Sequence, residues 1–352
     1  MIGPIRTILI RSPNWVGDCV MATPALAAFR DAFRDATILL LAPSYTAEVF
    51  EGGDWFDELL VVPGSRSLGA FLRAVQTAAA LRRRRADLGI LMTNSLGSAV
   101  LMKLAGARNI VGYSRNGRSA LLTTALAPAR TLGGFVPGPM VDYYLELARA
   151  VRRRTDGTED RRIRLATTPR EEEAARTLWE RLGLGSRRVA GLNPGAAFGS
   201  AKCWPPAHFA ALGRMLAERS GLDVLVLCGP AERSVARAII TEAGHPAVRG
   251  LEGEDVPLGV LKAVVRRLAL LVTNDSGPRH FACAFAVPTV TVFGPTDERW
   301  SETARTDEIK IVRDLACRPC MRRVCPTDHA CMRSIEPEAV YEAATELLKG
   351  HR

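Results

Sequence analysis

Three short stretches combine residue types suited to group transfer from a phosphate ester. In Arg11-Ser12-Pro13-Asn14-Trp15-Val16-Gly17-Asp18 a carboxylate follows a glycine that permits a tight turn. Projecting from a strand-to-helix turn, Asp18 is a candidate general base; at the same place it could simply cap the helix. In Asn193-Pro194-Gly195-Ala196-Ala197-Phe198-Gly199-Ser200-Ala201-Lys202-Cys203-Trp204-Pro205, two glycines and small side chains leave backbone N–H groups open to an anion. Lys202 adds a full cation, so this turn could hold a diphosphate leaving group and absorb its developing charge. The ordinary alternative is an exposed lysine on a long loop. In Thr273-Asn274-Asp275-Ser276-Gly277-Pro278-Arg279-His280 a turn with Gly277 runs into a helix with Pro278 early in it. Its first amides face an anion, and Ser276 and His280 can donate further, although a lone histidine is more often structural.

The spacing gains meaning from what is missing. No Gly-x-Gly-x-x-Gly follows the first strand, and no P-loop, His-Glu-x-x-His or Gly-x-Ser-x-Gly is present. No Asp-x-Asp pair offers a divalent ion a place on a sugar diphosphate, so neutralisation of a phosphate falls to side-chain cations and helix N-termini. No metal and no cofactor is expected. The single early carboxylate and the two late anion turns divide as an acceptor base and a nucleotide donor site would.

Elements that could position these turns are legible as alternating strands and helices. Apolar runs predict strands at Thr7–Arg11, Thr37–Ala42, Leu59–Val62, Leu88–Met92 and Asn109–Val111, with helices at Cys19–Phe33, Leu68–Arg84, Leu96–Ala105 and Met140–Arg153. The polar stretch Thr155–Arg162 breaks the pattern, and Thr168-Pro169 with Glu171–Glu173 reads as a helix start. The alternation then restarts, with strands at Val189–Leu192, Asp223–Leu227, Leu268–Thr273 and Thr289–Phe293. Helices are expected at Pro206–Arg219, Ala231–Ala243, Pro257–Arg267, Pro278–Ala286 and Pro337–Leu348. The order predicts an α/β fold of two doubly wound parallel sheets, binding ligands at the carboxyl ends of their strands across a cleft. The expected domains are 1–165, 166–335 and a terminal helix in 336–352.

Bulk properties agree with two globular domains in 352 residues. The net charge of +10 is uneven, with 22 Lys+Arg against 14 Asp+Glu in residues 1–165. A basic half suits a polyanionic partner. Met1–Trp15 does not read as a signal peptide, and no apolar run approaches the ~18–20 residues that span a bilayer. The expected location is cytosolic, with loose attachment to a membrane.

At these residues the chain resembles the heptosyltransferases of glycosyltransferase family nine, most like the heptosyltransferase II branch. The matching pieces are Ile10 to Leu26 with Asn14-Trp15-Val16-Gly17-Asp18, then Asn193-Pro194-Gly195-Ala196 with Lys202-x-Trp204-Pro205, Asn274-Asp275-Ser276-Gly277-x-x-His280, and Phe293-Gly294-Pro295-Thr296. The resemblance implies a GT-B fold, with the last helix crossing back to the first domain. It implies inverting, metal-independent transfer of heptose from ADP-heptose to the inner core of lipopolysaccharide, the second heptose on Kdo-lipid A. The cell would be a Gram-negative bacterium and the working surface its anionic inner membrane. By resemblance Asp18 is the catalytic base and Lys202 contacts the donor phosphates. Asn193, Gly195, Ala196, Asp275, Ser276, Gly277 and His280 belong to the donor site, Glu232 holds the ribose and Val256 lies by the adenine. Ser276 stands where a related subtype has threonine, and Pro278-Arg279 where leucine and a small residue are commoner.

Two alternatives belong beside this reading. One is another GT-B sugar-nucleotide enzyme, such as an epimerase needing no acceptor. The other is a polyanion-binding module using Arg82–Arg85 and Arg152–Arg154; no aromatic residue interleaves Arg82–Arg85, so base stacking is unsupported and no nucleic-acid partner is expected. The run Cys317-x2-Cys320-x4-Cys325-x5-Cys331, with His329 as a spare ligand, has spacing that could wrap zinc or serve as reduced structural thiols or a disulfide.

Overall fold

The computed structural model describes residues 5–62, 68–131, 134–152, 159–304 and 307–350. The chain folds as two compact units, Met1–Ala166 with Arg299–Ala304, and Thr167–Glu298 with Arg305–Arg352.

The first unit opens β1 (Thr7–Arg11), α1 (Val16–Met21), α2 (Thr23–Ala32), β2 (Thr37–Pro43) and β3 (Glu58–Val62). It continues with α3 (Leu68–Arg82), β4 (Leu88–Leu91), α4 (Leu96–Leu104), β5 (Asn109–Tyr113), β6 (Thr124–Leu126), a small hairpin of β7 (Arg130–Thr131) and β8 (Gly134–Phe135), and α5 (Met140–Val151). The sheet runs β3-β2-β1-β4-β5-β6, all parallel. β1, buried on both faces as a central parallel strand must be, pairs Ile8 with Ile38 on one side and with Leu88 on the other. The helix expected over Cys19–Phe33 is two helices: Thr23 Oγ1 donates to Val20 O and Pro24 occupies the first turn of α2, so the chain restarts at Ala22.

The second unit has the same plan. It comprises α6 (Pro169–Arg181), β9 (Val189–Asn193), α7 (Pro206–Ser220), β10 (Asp223–Val226), α8 (Arg233–Ala243), β11 (Val248–Gly250) and α9 (Leu258–Arg266). Then follow β12 (Leu270–Asn274), α10 (Gly277–Ala284), β13 (Thr289–Phe293), β14 (Glu308–Val312), α11 (Ala330–Arg333) and α12 (Pro337–Gly350). Strand order is β11-β10-β9-β12-β13-β14, again parallel. Thr168 and Glu171 form a reciprocal capping box at the start of α6. α7 and α8 end on left-handed Gly221 and Gly244, where a Cβ would be strained.

In both sheets the order reverses beside the first strand, between β1 and β4 and between β9 and β12. Loops leaving the carboxyl ends of those strands diverge there and open a crevice. Both anion turns of the second unit, and the Asp18 turn of the first, start at these strand ends.

Each unit has its own core. The first gathers Leu9, Leu39, Leu91, Met102 and Ile110; the second gathers Trp204, Phe209, Val224, Val272 and Met332 with α12. The resemblance places the last helix across the first domain. In the structure α12 buries Val340, Ala344 and Leu347 in the second unit's core and packs on α7, and the late segment that belongs with the first unit is Arg299–Ala304. The apolar stripe of α12 fits that local groove, which is the physical reason for its place. Arg153, Arg154 and residues 155–158 of the expected linker lie outside the described residues. Among the described residues no helix is long and apolar enough to cross a membrane.

Candidate active site

In the first unit the site begins where β1 ends. Arg11 Nη2 donates to Asn14 Oδ1 at 3.0 Å, and Asn14 Nδ2 reaches Thr93 Oγ1 beyond β4 at 3.2 Å. This ties the turn to two neighbouring strands. The N-cap of α1 is Trp15, extended and without a side-chain cap bond, and Asp18 is the third helical residue. The half-buried Asp18 carboxylate is met by Tyr144 from α5. Burial first, and then the Asp18 charge, hold the Tyr144 phenol protonated well above its usual range. Tyr144 is thus a donor that orients the carboxylate, and spacing gave no sign of it.

In the second unit the strand-end residues are knitted together. Asn193 Nδ2 donates to Thr273 Oγ1 at 2.8 Å and to Ser276 Oγ at 2.7 Å. Asn274 accepts from the Trp204 amide at 3.0 Å and donates to Pro194 O at 2.7 Å. The Lys202 loop and the Asp275 turn are therefore fixed to one another. Lys202 Nζ sits 2.5 Å from Asp275 Oδ2 and 3.1 Å from Asp275 O, with Phe198 below it at 5.0 Å. Thr296 Oγ1 donates to the same carboxylate oxygen at 2.9 Å.

Behind Asp275 stands a cation that the sequence marked only as unusual. Arg279 is fully buried; its Nη1 lies 3.5 Å from Asp275 Oδ1, and its Nε and Nη2 hold Glu308 at 2.5 and 2.9 Å. Thr291 donates to Glu308 at 2.6 Å. Burial pushes the Asp275 carboxyl up, but Lys202 and Arg279 more than offset it and hold it down at about 2. The network is charge-balanced without solvent: two cations, Lys202 and Arg279, against Asp275 and Glu308.

His280 lies one residue on, 3% exposed, with Nδ1 buried and without a hydrogen-bond partner among the described residues. Burial, then Arg279, push it down to about 3, so it is a neutral imidazole at physiological pH. The sign of the linkage follows. The unfolded chain binds a proton near 6.5 and the folded one near 3, so stability falls as pH drops below 6.5. The expected slope is about 1.4 kcal/mol per pH unit for one such group. The depressed carboxylates add slope of the same sign as pH nears their unfolded values, about 4.5 for Glu, so denaturant titrations between pH 6.5 and 5.5, read as wild type minus variant, isolate it. His280→Asn is expected to flatten the profile there; an unchanged slope would place the proton elsewhere.

Glu232 approaches from the turn after β10. Its carboxylate accepts the Gly229 amide at 2.9 Å and lies against Gly195, where a Cβ would come within 1.9 Å of Oε1. A side chain at Gly195 would therefore displace the Glu232 carboxylate from this position. Gly195, Ala196, Trp204, His208 and Glu232 line a cavity of about 660 Å³ inside this unit. Val256 is half-buried in the stretch before α9 and is not part of that lining. Gly277 opens α10 after Ser276, whose side chain makes no cap bond.

The four clustered cysteines are free thiols, and among the described residues no three of His, Cys, Asp and Glu are grouped to hold a metal. Their loop does something else. The Arg323 carbonyl accepts the Ala201 amide at 3.0 Å and fills the space beside Gly199, while His329 Nε2 meets Ala201 O at 2.7 Å. The loop braces the Lys202 turn, and His329 and Arg323 are site-supporting residues that local spacing could not find. Arg82–Arg85 closes α3, with Arg84 paired to Glu58 at 2.9 Å.

Over 352 aligned residues the chain is 27% identical to Lipooligosaccharide heptosyltransferase 2 of Campylobacter jejuni, covering 97% of this chain and 98% of that one. It is 28% identical to Lipopolysaccharide heptosyltransferase 2 of Escherichia coli, covering 82% and 83%. The solved E. coli ADP-heptose LPS heptosyltransferase II superposes with a TM-score of 0.79 at 23% identity, over 98% of this chain and 99% of that one. The model of glycosyltransferase family 9 (heptosyltransferase) matches residues 75–331. The chain is therefore a glycosyltransferase and belongs to family 9, the heptosyltransferases.

Proposed function

We propose that this chain transfers heptose from ADP-heptose to the inner core of lipopolysaccharide, as the second heptose on heptosyl-Kdo-lipid A. Transfer proceeds with inversion and without a metal. The observation that carries the reading is Lys202, held 2.5 Å from Asp275 at the joined ends of β9 and β12, in a chain of a heptosyltransferase family. The heptosyltransferase 2 relatives support the substrate class.

The first unit supplies the acceptor side and the second the donor side. Asp18 takes the proton of a core-sugar hydroxyl as its oxygen attacks the anomeric carbon. The bond from that carbon to the diphosphate oxygen breaks, and ADP leaves with the electron pair. Attack from the face opposite the diphosphate inverts the centre, and one base suffices because a diphosphate leaves without acid help. Lys202 swings from Asp275 to the diphosphate and absorbs its charge, with Asn193, Ser276, the Gly277 amide and His280 around it. Gly195 and Ala196 let the donor approach the backbone, Glu232 takes the ribose hydroxyls and Val256 packs by the adenine. The basic first unit suits the anionic inner-membrane face of a Gram-negative cell, on its cytoplasmic side.

The test is transfer from ADP-heptose to heptosyl-Kdo-lipid A, with the new anomeric linkage read by NMR and EDTA present in a parallel arm. An inverted linkage formed at equal rate in both arms is expected. Retention of configuration, loss of activity in EDTA, or epimerisation of donor without acceptor would each defeat the reading. Lys202→Met is expected to lower turnover about 10²–10³-fold, the usual cost of removing one donor to a developing anion. A loss confined to the donor KM would show that Lys202 binds without stabilising the leaving group.

A further inference from the structure

Helix α4 turns apolar side chains to two sides. Toward the core of the first unit it buries Ser98, Ala99 and Met102. On the other side Leu96, Val100 and Leu104 recur at every fourth position, the spacing that draws one stripe along a helix. They are 49%, 38% and 45% exposed. α3 packs beside α4 and adds Val75, which is also exposed. Among the described residues ten large apolar side chains are exposed, and four of them stand on these two helices. Single exposed leucines are ordinary on a protein surface, whereas a stripe of them marks a face that meets something other than water.

The charge around the stripe identifies what it meets. Residues 59–141 hold eleven Lys+Arg and a single acid, Asp87. Asp87 is committed inside the unit: Oδ2 accepts the Arg6 and Thr7 amides, and Oδ1 accepts from Arg108. Neither α3 nor α4 contains Asp or Glu. Lys103 stands on the last turn of α4 beside Leu104. The Arg82 stem lies against Gly106, two residues past Leu104, where a Cβ would meet Arg82 Cγ at 3.2 Å. Both cations are exposed. An apolar row collared by cations alone fits the boundary of an anionic bilayer, with acyl chains for the row and headgroup phosphates for the collar. The long basic side chains lie along the apolar surface and lift their charges to the headgroups. A second copy using the same face would set cation against cation.

The stripe begins beside the Asp18 turn. Leu96 follows Thr93 by three residues, and Asn14 of that turn donates to Thr93 Oγ1 at 3.2 Å. We propose that the α3–α4 face is the membrane-docking surface of this chain: Leu96, Val100 and Leu104 enter the acyl boundary of an anionic bilayer, and Arg82 and Lys103 take headgroup phosphates. The inference deepens, and rests on, the reading of the basic first unit as the one that meets the membrane. Docking along α4 brings the bilayer to the edge of the acceptor side, so a lipid-borne sugar reaches Asp18 without leaving the membrane.

The experiment floats the full chain with vesicles of phosphatidylethanolamine and phosphatidylglycerol, and with neutral phosphatidylcholine vesicles. Wild type is compared with Leu96→Gln/Leu104→Gln and with Arg82→Gln/Lys103→Gln. Wild type should partition more strongly to the anionic vesicles. The apolar pair should lower that partition about tenfold or more, at low and at high salt alike. The basic pair should lower it about fivefold per cation at low salt, a gap that closes as salt rises. All four side chains are exposed, so transfer to acceptor held in neutral detergent should keep the wild-type rate, while transfer to acceptor in anionic vesicles falls with the partition. Loss of transfer in detergent as well would make these residues part of the acceptor site and overturn the proposal. If the apolar pair floats as wild type does, another face docks and this proposal falls alone. If wild type floats with neither vesicle, the membrane reading beneath it falls too. A wild type that is dimeric by light scattering, with the apolar pair monomeric, would assign the face to a second copy and overturn the proposal.

Discussion

Asp18→Asn is expected to reduce heptose transfer about a thousandfold or more, within the range general-base catalysis usually supplies. ADP binding and the melting temperature should stay close to wild type. The substitution keeps the shape of the side chain and, through its amide oxygen, the acceptor for Tyr144. What it removes is the capacity to take up a proton. The N-cap of α1 is Trp15 rather than Asp18, so the substitution leaves the N-cap residue unchanged. A capping role would give the opposite pattern, a lower melting temperature with transfer largely kept. Tyr144→Phe is the companion variant: it leaves the base and deletes its orienting donor, and a smaller loss in turnover with acceptor KM unchanged is expected. Transfer by Asp18→Asn within a few-fold of wild type would remove the base from this reading.

Why the sequence announced Asp18 but not Tyr144 is a matter of range. The buried central strands β1, β2, β4, β9, β10, β12 and β13 are runs of Ile, Leu, Val and Ala, and a parallel sheet covered on both faces requires such runs. The turns after β1, β9 and β12 carry glycine, proline and short polar residues within a few positions of each strand. Both signals are local, so composition and spacing expose them. Edge strands are another case. β6, β11 and β14 are short and partly exposed, and Glu308-Ile309-Lys310-Ile311-Val312 alternates too briefly to be separated from a loop.

The supporting residues are invisible for a related reason. Glu308 stands 29 positions from Arg279 and His329 stands 128 from Ala201, and nothing local ties either pair. The cysteine loop shows the converse failure. Its spacing suggests a ligand set, but His329 and Arg323 are committed to the backbone of the Lys202 turn. Spacing reports which residues could meet, and packing decides whether they do.

Arg279→Leu is the second large expected effect, and it acts on stability first. The guanidinium is fully buried and shared between Asp275 and Glu308. Deleting it leaves the almost fully buried Glu308 without its guanidinium partner, the Thr291 hydroxyl still donating to it, and takes one cation from beside Asp275, which keeps Lys202 and Thr296. Removing one partner of a buried ion pair typically costs about 3–5 kcal/mol, because the remaining charge stays desolvated. That loss should appear in denaturant unfolding at pH 7. In Arg279→Leu/Glu308→Leu both charges go and the volume is kept, so most of the stability should return, with a strongly favourable coupling in the double-mutant cycle. Function should not return with it. In the proposed mechanism Lys202 moves to the donor diphosphate and Arg279 stays beside Asp275, so the double variant should bind ADP more weakly than wild type although folded. A single variant destabilised by under about 1 kcal/mol, against that expected range, would mean that solvent reaches Glu308, and the buried counter-charge would then have no part in releasing Lys202.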